Sequence, residues 1–213
     1  MTRRWLVRLC ALLAALTLAA CTSSAGGAAK PSELNDNPGN GPFLGSEVSP
    51  AQPRPQFTLT DTAGKQFAFG TATSGHPTLL YFGYTECPDV CPLTMANAML
   101  ALKKLPKAVA AKTYVVFVTT DVKHDTGPVI ATWLSQFSRN SPATWVGLRG
   151  SQAQIDAAQA AAHITVAEDD GKTHSALFLL YGPDDYAHVE FLQSNTQQQQ
   201  IEHDLPLVAE GKR

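Results

Sequence analysis

Two cysteines in the segment FGYTECPDVCP, residues 82–92, are the residues of this chain best suited to chemistry. Cys87 and Cys91 are four positions apart, which places both side chains on one face of a helical turn with their Cα atoms about 6 Å apart. At that separation the sulfurs can form a disulfide or can both reach one metal ion. The N-terminus of the helix expected after Pro88 favours the thiolate form. The spacing is therefore compatible with a structural disulfide or pair of buried thiols, with a redox dithiol, and with a metal site.

If the site binds a metal, its two thiolates favour copper. Thiolates are soft ligands that select Cu(I), with zinc as the competing ion. Structural zinc sites use four protein ligands, and the two remaining cysteines, Cys10 and Cys21, lie in the N-terminal segment. A site built on two cysteines therefore favours copper at a low coordination number, with one imidazole as third ligand.

His174 is the candidate for that imidazole among the six histidines of the chain. It stands immediately before a predicted buried strand, and in a thioredoxin-like fold the loop before that strand packs beside the N-terminus of the first helix. A histidine at the start of a strand is more often an ordinary loop residue, so its position alone does not assign it as a ligand. We expect the other five histidines to be loop or surface residues: His76, His124, His163, His188 and His203.

Hydrophobic runs and turn residues divide the body of the chain into alternating strands and helices. Strands are predicted over 57–59, 66–69, 77–84, 114–118, 145–148, 176–181 and 188–192, and helices over 95–105, 129–137, 151–162 and 196–208. Such an alternation implies a sheet with helices on both faces, and the antiparallel strands late in the chain make that sheet mixed. We therefore predict an α/β protein with a thioredoxin-like fold over residues 56–213.

The first twenty residues have the pattern of an export signal. Three arginines precede an apolar stretch, residues 9–20, which is shorter than a membrane span but typical of a signal peptide. It ends in Leu-Ala-Ala-Cys, like a bacterial lipobox, in which the cysteine becomes the first mature residue and carries lipid. We therefore expect a signal peptide over 1–20, exported by the general secretory or the twin-arginine route, and a lipid anchor on Cys21.

The residues after the predicted anchor are rich in Ser, Gly, Ala, Pro and Asn and show no helical or strand period. We interpret residues 21–55, which include the lipidated cysteine, as a flexible tether. The tether and anchor would hold the folded domain at the extracytoplasmic face of the cell membrane. Because Cys10 leaves with the signal peptide and Cys21 carries the lipid, only Cys87 and Cys91 remain for chemistry.

Composition excludes several classes of protein. In 213 residues, hydrophobic residues make up 44% and charged residues 16%, so the chain can build a core and is not generically disordered. The formal net charge is −2. A mildly acidic chain of this kind is not expected to bind nucleic acid as its main partner.

The segment GYTECPDVCP resembles the signature of the Sco/SenC family, the copper chaperones of cytochrome c oxidase assembly. Matching segments follow in order: Asp121 with Asp125-Thr126, then His174-Ser175, then Gly182-Pro183-Asp184. The resemblance implies a thioredoxin-like fold and copper as the bound metal, with Cys87, Cys91 and His174 as its ligands. It also implies that the acceptor is the dinuclear copper centre of cytochrome c oxidase subunit two.

This chain departs from the family pattern just before the candidate ligand. Family members often carry Asp before the ligand histidine, where this chain has Thr173. A carboxylate that could orient the imidazole is therefore missing at that position, and Asp169 and Asp170 are the candidates to replace it.

The resulting expectation is a membrane-anchored copper chaperone rather than an enzyme. Two alternatives remain open at this point. The dithiol could reduce the cysteine pair of the acceptor before copper is inserted, which would make the protein a thiol–disulfide oxidoreductase. A thiol peroxidase would instead require one cysteine of low pKa and one resolving cysteine.

Overall fold

The computed structural model describes residues 41–212, so the predicted signal peptide, Cys21 and the first half of the predicted tether lie outside the described residues. The strands are β1 Ser46–Pro53, β2 Thr58–Asp61, β3 Gln66–Ala68, β4 Thr78–Gly83, β5 Tyr114–Thr119, β6 Thr144–Arg149, β7 Leu177–Tyr181 and β8 Tyr186–Leu192. The helices are α1 Phe69–Thr73, α2 Val90–Lys104, α3 Lys107–Ala110, α4 Gly127–Ser138, α5 Gln152–Ala161 and α6 Gln197–Ala209, with a 3₁₀ turn at Asp169–Gly171. Among these helices none is long and apolar enough to cross a bilayer.

All eight strands form one mixed sheet in the order β1-β8-β7-β4-β5-β6-β2-β3. The central strands β4, β5 and β6 are parallel, and β7 pairs antiparallel with β4. Every residue of β4 is buried, as expected of a strand covered on both faces. The pairing of β4 with β7 sets the loop that follows β4 beside the loop that precedes β7.

The side chains of β4 alternate between two hydrophobic clusters, one on each face of the sheet. Leu79 and Tyr81 belong to the cluster that contains the buried residues of α2, α4 and α6. Leu80 and Phe82 belong to the cluster on the other face, with α1 and α5. The predicted mixed sheet with helices on both faces is therefore confirmed.

Local predictions differ from the structure in three places. The periodic pattern over 95–105 places the start of this helix too late, whereas the start expected after Pro88 agrees with the observed one at Val90. Pro92 lies in the first turn, where a missing N–H costs nothing. The short helices α1 and α3 were not predicted. His188 lies in β8, in agreement with the strand predicted over 188–192, but it is only 8% exposed and bonds to Asp184, so its assignment as a loop or surface residue is wrong.

The prediction of a tether through residue 55 is wrong over Ser46–Pro53, which form β1. This strand pairs antiparallel with β8 at the edge of the sheet, and its register shifts between Glu47 and Gln52. An edge strand tolerates proline because one row of its backbone groups faces away from the sheet. Most of its residues are half-buried or exposed, so it carries no hydrophobic alternation that could reveal it in the sequence.

Two buried charged residues fasten this N-terminal segment to the domain. The Asp204 carboxylate of α6 is fully buried and accepts hydrogen bonds from the backbone N–H groups of Leu44, at 2.9 Å, and Gly45, at 2.7 Å. Arg54, directly after β1, is only 4% exposed. Folded structure therefore begins well before the predicted boundary at residue 56.

The Arg54 guanidinium joins its own segment to α1 and to the turn between β7 and β8. Its Nε donates to Asp185 Oδ1 at 2.8 Å, its Nη1 to Thr73 Oγ1 at 2.9 Å, and its Nη2 to the Gly182 carbonyl at 2.8 Å. The guanidinium also lies 5.1 Å from the centre of the Tyr181 ring. Burial lowers the pKa of Arg54, and Asp185 opposes that shift.

Replacing this arginine tests whether β1 is an integral part of the domain. We expect Arg54→Ala to lower the free energy of unfolding by about 3 kcal/mol, because buried acceptors lose a charged donor. The matched control is the exposed Arg139, whose replacement by Ala should cost less than about 0.5 kcal/mol. Urea unfolding of both variants measures the difference. If Arg54→Ala were as stable as Arg139→Ala, the segment before β2 would not be an integral part of the domain.

Candidate metal centre

Cys87 and Cys91 lie where β4 ends and α2 begins. Cys91 is in the first turn of α2, whereas Cys87 precedes the helix in the loop 84–89, so the expectation that both cysteines share a helical turn is only partly met. The two are nevertheless coupled, since the N–H of Cys91 donates to Cys87 Sγ at 3.4 Å. The first N–H groups of a helix have no partner within the helix, and here one of them points at a sulfur.

Both cysteines are free thiols, and their burial differs slightly. Cys91 is fully buried and Cys87 is 9% exposed. Burial raises the pKa of Cys91 to about 12, while hydrogen bonds from the Tyr81 hydroxyl and the Tyr84 backbone oppose that shift. The helix N-terminus was expected to favour the thiolate, but for Cys91 the loss of hydration outweighs it.

His174 reaches the thiols from the loop before β7. Its Nε2 lies 3.5 Å from Cys91 Sγ, and its Nδ1 lies 3.2 Å from the carbonyl oxygen of Ser175. A carbonyl oxygen only accepts, so Nδ1 carries the proton and Nε2 presents its lone pair to the sulfur. Burial lowers the pKa of His174, which favours the neutral imidazole that a metal requires.

The loop that carries His174 is held by contacts remote from the site. A backbone bridge joins Glu168 to Thr173, and the Thr120 hydroxyl donates to the Gly171 carbonyl at 2.6 Å. A side chain at Gly171 would collide with the Thr120 carbonyl, and the residue has a φ of +88°, so glycine is required there. These contacts fix the start of β7 against the end of β5.

Neither aspartate proposed as a replacement orients the imidazole. Asp169 accepts from the Thr173 hydroxyl at 2.8 Å, and Asp170 pairs with Lys123 at 2.8 Å. The Ser175 carbonyl takes the orienting role instead. A backbone carbonyl is an ordinary partner for a metal-ligating histidine.

The three ligand atoms converge. The two sulfurs and one imidazole nitrogen all lie within 4.8 Å of one another. Within residues 41–212, this is the one group of three His, Cys, Asp or Glu side chains close enough to share a metal ion. The structure therefore brings together all three metal ligands predicted from the sequence, Cys87, Cys91 and His174.

Two tyrosines contact these candidate ligands, and no motif in the sequence indicated a role for either. Tyr81 of β4 donates its hydroxyl to Cys91 Sγ at 3.5 Å, and its ring meets His174 edge-on at 6.0 Å. The ring of Tyr84 also packs edge-on against the imidazole, at 5.6 Å. Tyr81 could have been suspected from the sequence, because it stands in a strand predicted to be buried, and a buried tyrosine hydroxyl usually has a hydrogen-bond partner.

The loop between β4 and Cys87 is held by a second buried carboxylate. Asp125 accepts hydrogen bonds from the hydroxyls of Thr85 and Thr119 and from the backbone N–H of Thr85. Burial raises the pKa of Asp125, and these hydrogen bonds oppose the shift. In the sequence, Asp125 stands out only through the family resemblance, which does not indicate this role.

A surface cleft gives access to Cys87 and His174. The cleft is lined by both ligand-bearing loops, including Tyr84, Cys87, Asp89, Lys172 and His174. A metal bound to the three ligands would therefore be open to an incoming group from the cleft. Cys91 is the ligand furthest from solvent.

Comparisons with known proteins agree with this geometry. A relative from Stutzerimonas stutzeri is 30% identical over 136 residues, which are 61% of this chain and 64% of that protein. Protein SenC of Rhodobacter capsulatus is 34% identical over 111 residues, which are 52% of this chain and 42% of that protein. This chain thus matches less than two thirds of the length of these relatives.

Solved structures show the same fold. The copper-bound structure of ScoI from Bradyrhizobium japonicum matches with a TM-score of 0.59 and 29% identity, covering 73% of this chain and 98% of that one. The crystal structure of yeast Sco1 matches with a TM-score of 0.63 and 23% identity, covering 75% of this chain and 98% of that one. The predicted thioredoxin-like fold is confirmed by these two neighbours. The SCO1/SenC family model matches residues 46–210, from the first residue of β1 to just after α6. This chain belongs to the SCO1/SenC family.

Proposed function

We propose that this protein binds one copper ion through Cys87, Cys91 and His174. The proposal is carried by the convergence of two sulfurs and one imidazole nitrogen within 4.8 Å. This donor set is soft enough to favour Cu(I), and its imidazole also suits Cu(II). The copper bound by the similar protein of Bradyrhizobium japonicum supports the assignment.

We infer that the copper is cargo and that its acceptor is the dinuclear copper centre of cytochrome c oxidase subunit two. Three protein ligands leave room for a fourth, so an acceptor residue can bind the metal before the donor residues release it. The cleft above the site gives such a residue a path to the metal. Membership of the SCO1/SenC family supports this acceptor.

The location that we propose is the extracytoplasmic face of the cell membrane, with lipid on Cys21. The apolar stretch that ends at Cys21 and the polar segment after it support an anchor and a spacer. Since folded structure includes β1, the spacer would be shorter than predicted and would end before Ser46.

A second candidate function is reduction of the acceptor's disulfide. It is favoured by the two free thiols, whose sulfurs lie within 4.8 Å of each other. In this reaction Cys87 and Cys91 form a disulfide and give up two electrons and two protons, and the acceptor's disulfide becomes two thiols. The raised pKa of Cys91 argues against that residue as the reactive cysteine of a peroxidase.

Copper titration tests the ligand set directly. We expect the reduced domain to bind one Cu(I) per chain without oxygen, with X-ray absorption showing two sulfur ligands and one nitrogen ligand. His174→Ala should weaken binding by about 100-fold or more, since loss of a partner of a ligand already costs 10–100-fold. The control is His163→Asn, an exposed site with positive φ that Asn tolerates. Equal affinities for both variants would remove His174 from the site.

The double variant Cys87→Ser, Cys91→Ser tests delivery inside the cell. We expect it to lose copper binding and to leave oxidase activity in membranes as low as in a strain without the protein. Added copper should restore activity if the protein carries copper, whereas an added thiol reductant should restore it if the protein reduces the acceptor. Normal oxidase activity in the variant without either addition would contradict both functions.

Membrane anchoring has its own test. Cys21→Ser should move the protein from the membrane fraction to the soluble fraction, because the lipid would have no attachment site. Cys10→Ser is the matched control and should stay in the membrane fraction, since Cys10 lies within the predicted signal peptide. Retention of the Cys21 variant in the membrane fraction would count against the lipid anchor.

A further inference from the structure

Tyr81 contacts both a sulfur and the imidazole of the site. Its hydroxyl lies 3.5 Å from Cys91 Sγ, and its ring packs edge-on against His174. The two ligands are 83 positions apart in sequence. Tyr81 therefore links a ligand of α2 to a ligand of the loop before β7.

The position of Tyr81 is rigidly determined. The residue is fully buried in β4, and its ring packs against Phe117 at 6.3 Å and Phe178 at 5.3 Å. A Cβ added at Gly83 would lie 2.6 Å from the Tyr81 ring and 2.8 Å from Cys91 Sγ. Because Gly83 has no side chain, the Tyr81 ring and the Cys91 sulfur can approach each other in the space beside it.

The hydrogen bond from the Tyr81 hydroxyl to Cys91 becomes stronger when the Cys91 sulfur is ionised. A tyrosine hydroxyl carries its proton at neutral pH, and a metal-bound cysteine is a thiolate. A hydrogen bond to an ionised acceptor is stronger than one between neutral groups. Hydrogen bonds to a ligating sulfur withdraw electron density from it and tune the reduction potential of a copper site.

We propose that Tyr81 is a positioning residue that favours Cu(I) over Cu(II) by donating its hydroxyl to the Cys91 thiolate. The proposal rests on the copper site proposed above. The donated hydrogen bond weakens electron donation from sulfur to metal, which destabilises Cu(II) more than Cu(I). The geometry assigns this role to one sulfur, because the hydroxyl points at Cys91 and not at Cys87 in the hydrogen bonds of residues 41–212.

The isosteric variant Tyr81→Phe removes the hydroxyl and keeps the ring. We expect its sulfur-to-Cu(II) charge-transfer band to move to longer wavelength, because the sulfur electrons are no longer stabilised. We also expect the ratio of Cu(II) affinity to Cu(I) affinity to rise severalfold, with about tenfold, the whole effect of one hydrogen bond to a charged group, as the upper limit, because the thiolate accepts the bond in both oxidation states. X-ray absorption should still show two sulfurs and one nitrogen, so that the change is not a change of ligands.

Tyr181→Phe is the matched control. Tyr181 is also a buried tyrosine of the sheet, but it belongs to the cluster on the opposite face. Its variant should keep the wild-type band and affinity ratio. Urea unfolding of both variants distinguishes the proposed effect on copper from a purely structural role of Tyr81. A purely structural role would lower the free energy of unfolding without moving the charge-transfer band.

The outcomes distinguish the two proposals. A wild-type protein that binds no copper overturns the proposed function and this inference together. A wild-type protein that binds copper, with an unchanged band and affinity ratio in Tyr81→Phe, overturns this inference alone. A shift in Tyr81→Phe that Tyr181→Phe reproduces also overturns it, because the effect would then not come from the sulfur contact.

Discussion

The antiparallel pairing of β4 with β7 is the constraint on which the site depends. Tyr81 of β4 pairs with Phe178 of β7, so the end of one strand lies beside the start of the other. Cys87 lies six residues after Tyr81, in the loop that follows β4, and His174 lies four residues before Phe178, in the loop that precedes β7. A shift of this register by one residue would turn Tyr81 to the opposite face of the sheet. The core that fixes the register therefore also fixes the distance between sulfur and imidazole.

Burial then sets the chemistry of the ligands. It raises the pKa of Cys91 and lowers that of His174, so without metal both groups are held in their neutral forms. Two thiolates in this environment need a compensating positive charge, which a bound cation supplies when it replaces the protons. The Tyr81 hydroxyl and the N–H of Cys91 each donate to a sulfur and therefore stabilise the thiolate form, as a bound metal would. The site is thus arranged for a soft cation and not for exposed thiolates.

The sequence was sufficient for the class of fold and for the three side chains, Cys87, Cys91 and His174, that the structure brings together as candidate metal ligands. Alternating hydrophobic runs identified the central strands, because strands buried on both faces must be apolar throughout. Edge strand β1 was missed because its stability comes from pairing with β8 and from the buried Arg54 and Asp204. A strand held by long-range contacts leaves no periodic pattern in its own residues.

The candidate ligands were visible in the local sequence, whereas the residues that support them depend on long-range contacts. Cys87 and Cys91 were identified by residue type and spacing, and His174 by its place before a buried strand together with the family resemblance. The contacts of Tyr81 and Asp125 depend on which strands are neighbours and on where α2 begins. Those distances follow from the packed sheet, so they could not be obtained from the local sequence.

The unequal burial of the three ligands bears on how a metal could leave the site. Cys91 is fully buried, whereas Cys87 is slightly exposed and His174 is half-buried, and these two line the cleft. An incoming ligand therefore meets Cys87 and His174 before Cys91. Because Tyr81 bonds to Cys91, its hydrogen bond would persist while the outer ligands of a bound copper ion were exchanged. In the proposed delivery, the ligand that released the metal last would then be the one whose electron donation is weakened, which would favour transfer of copper in its monovalent state.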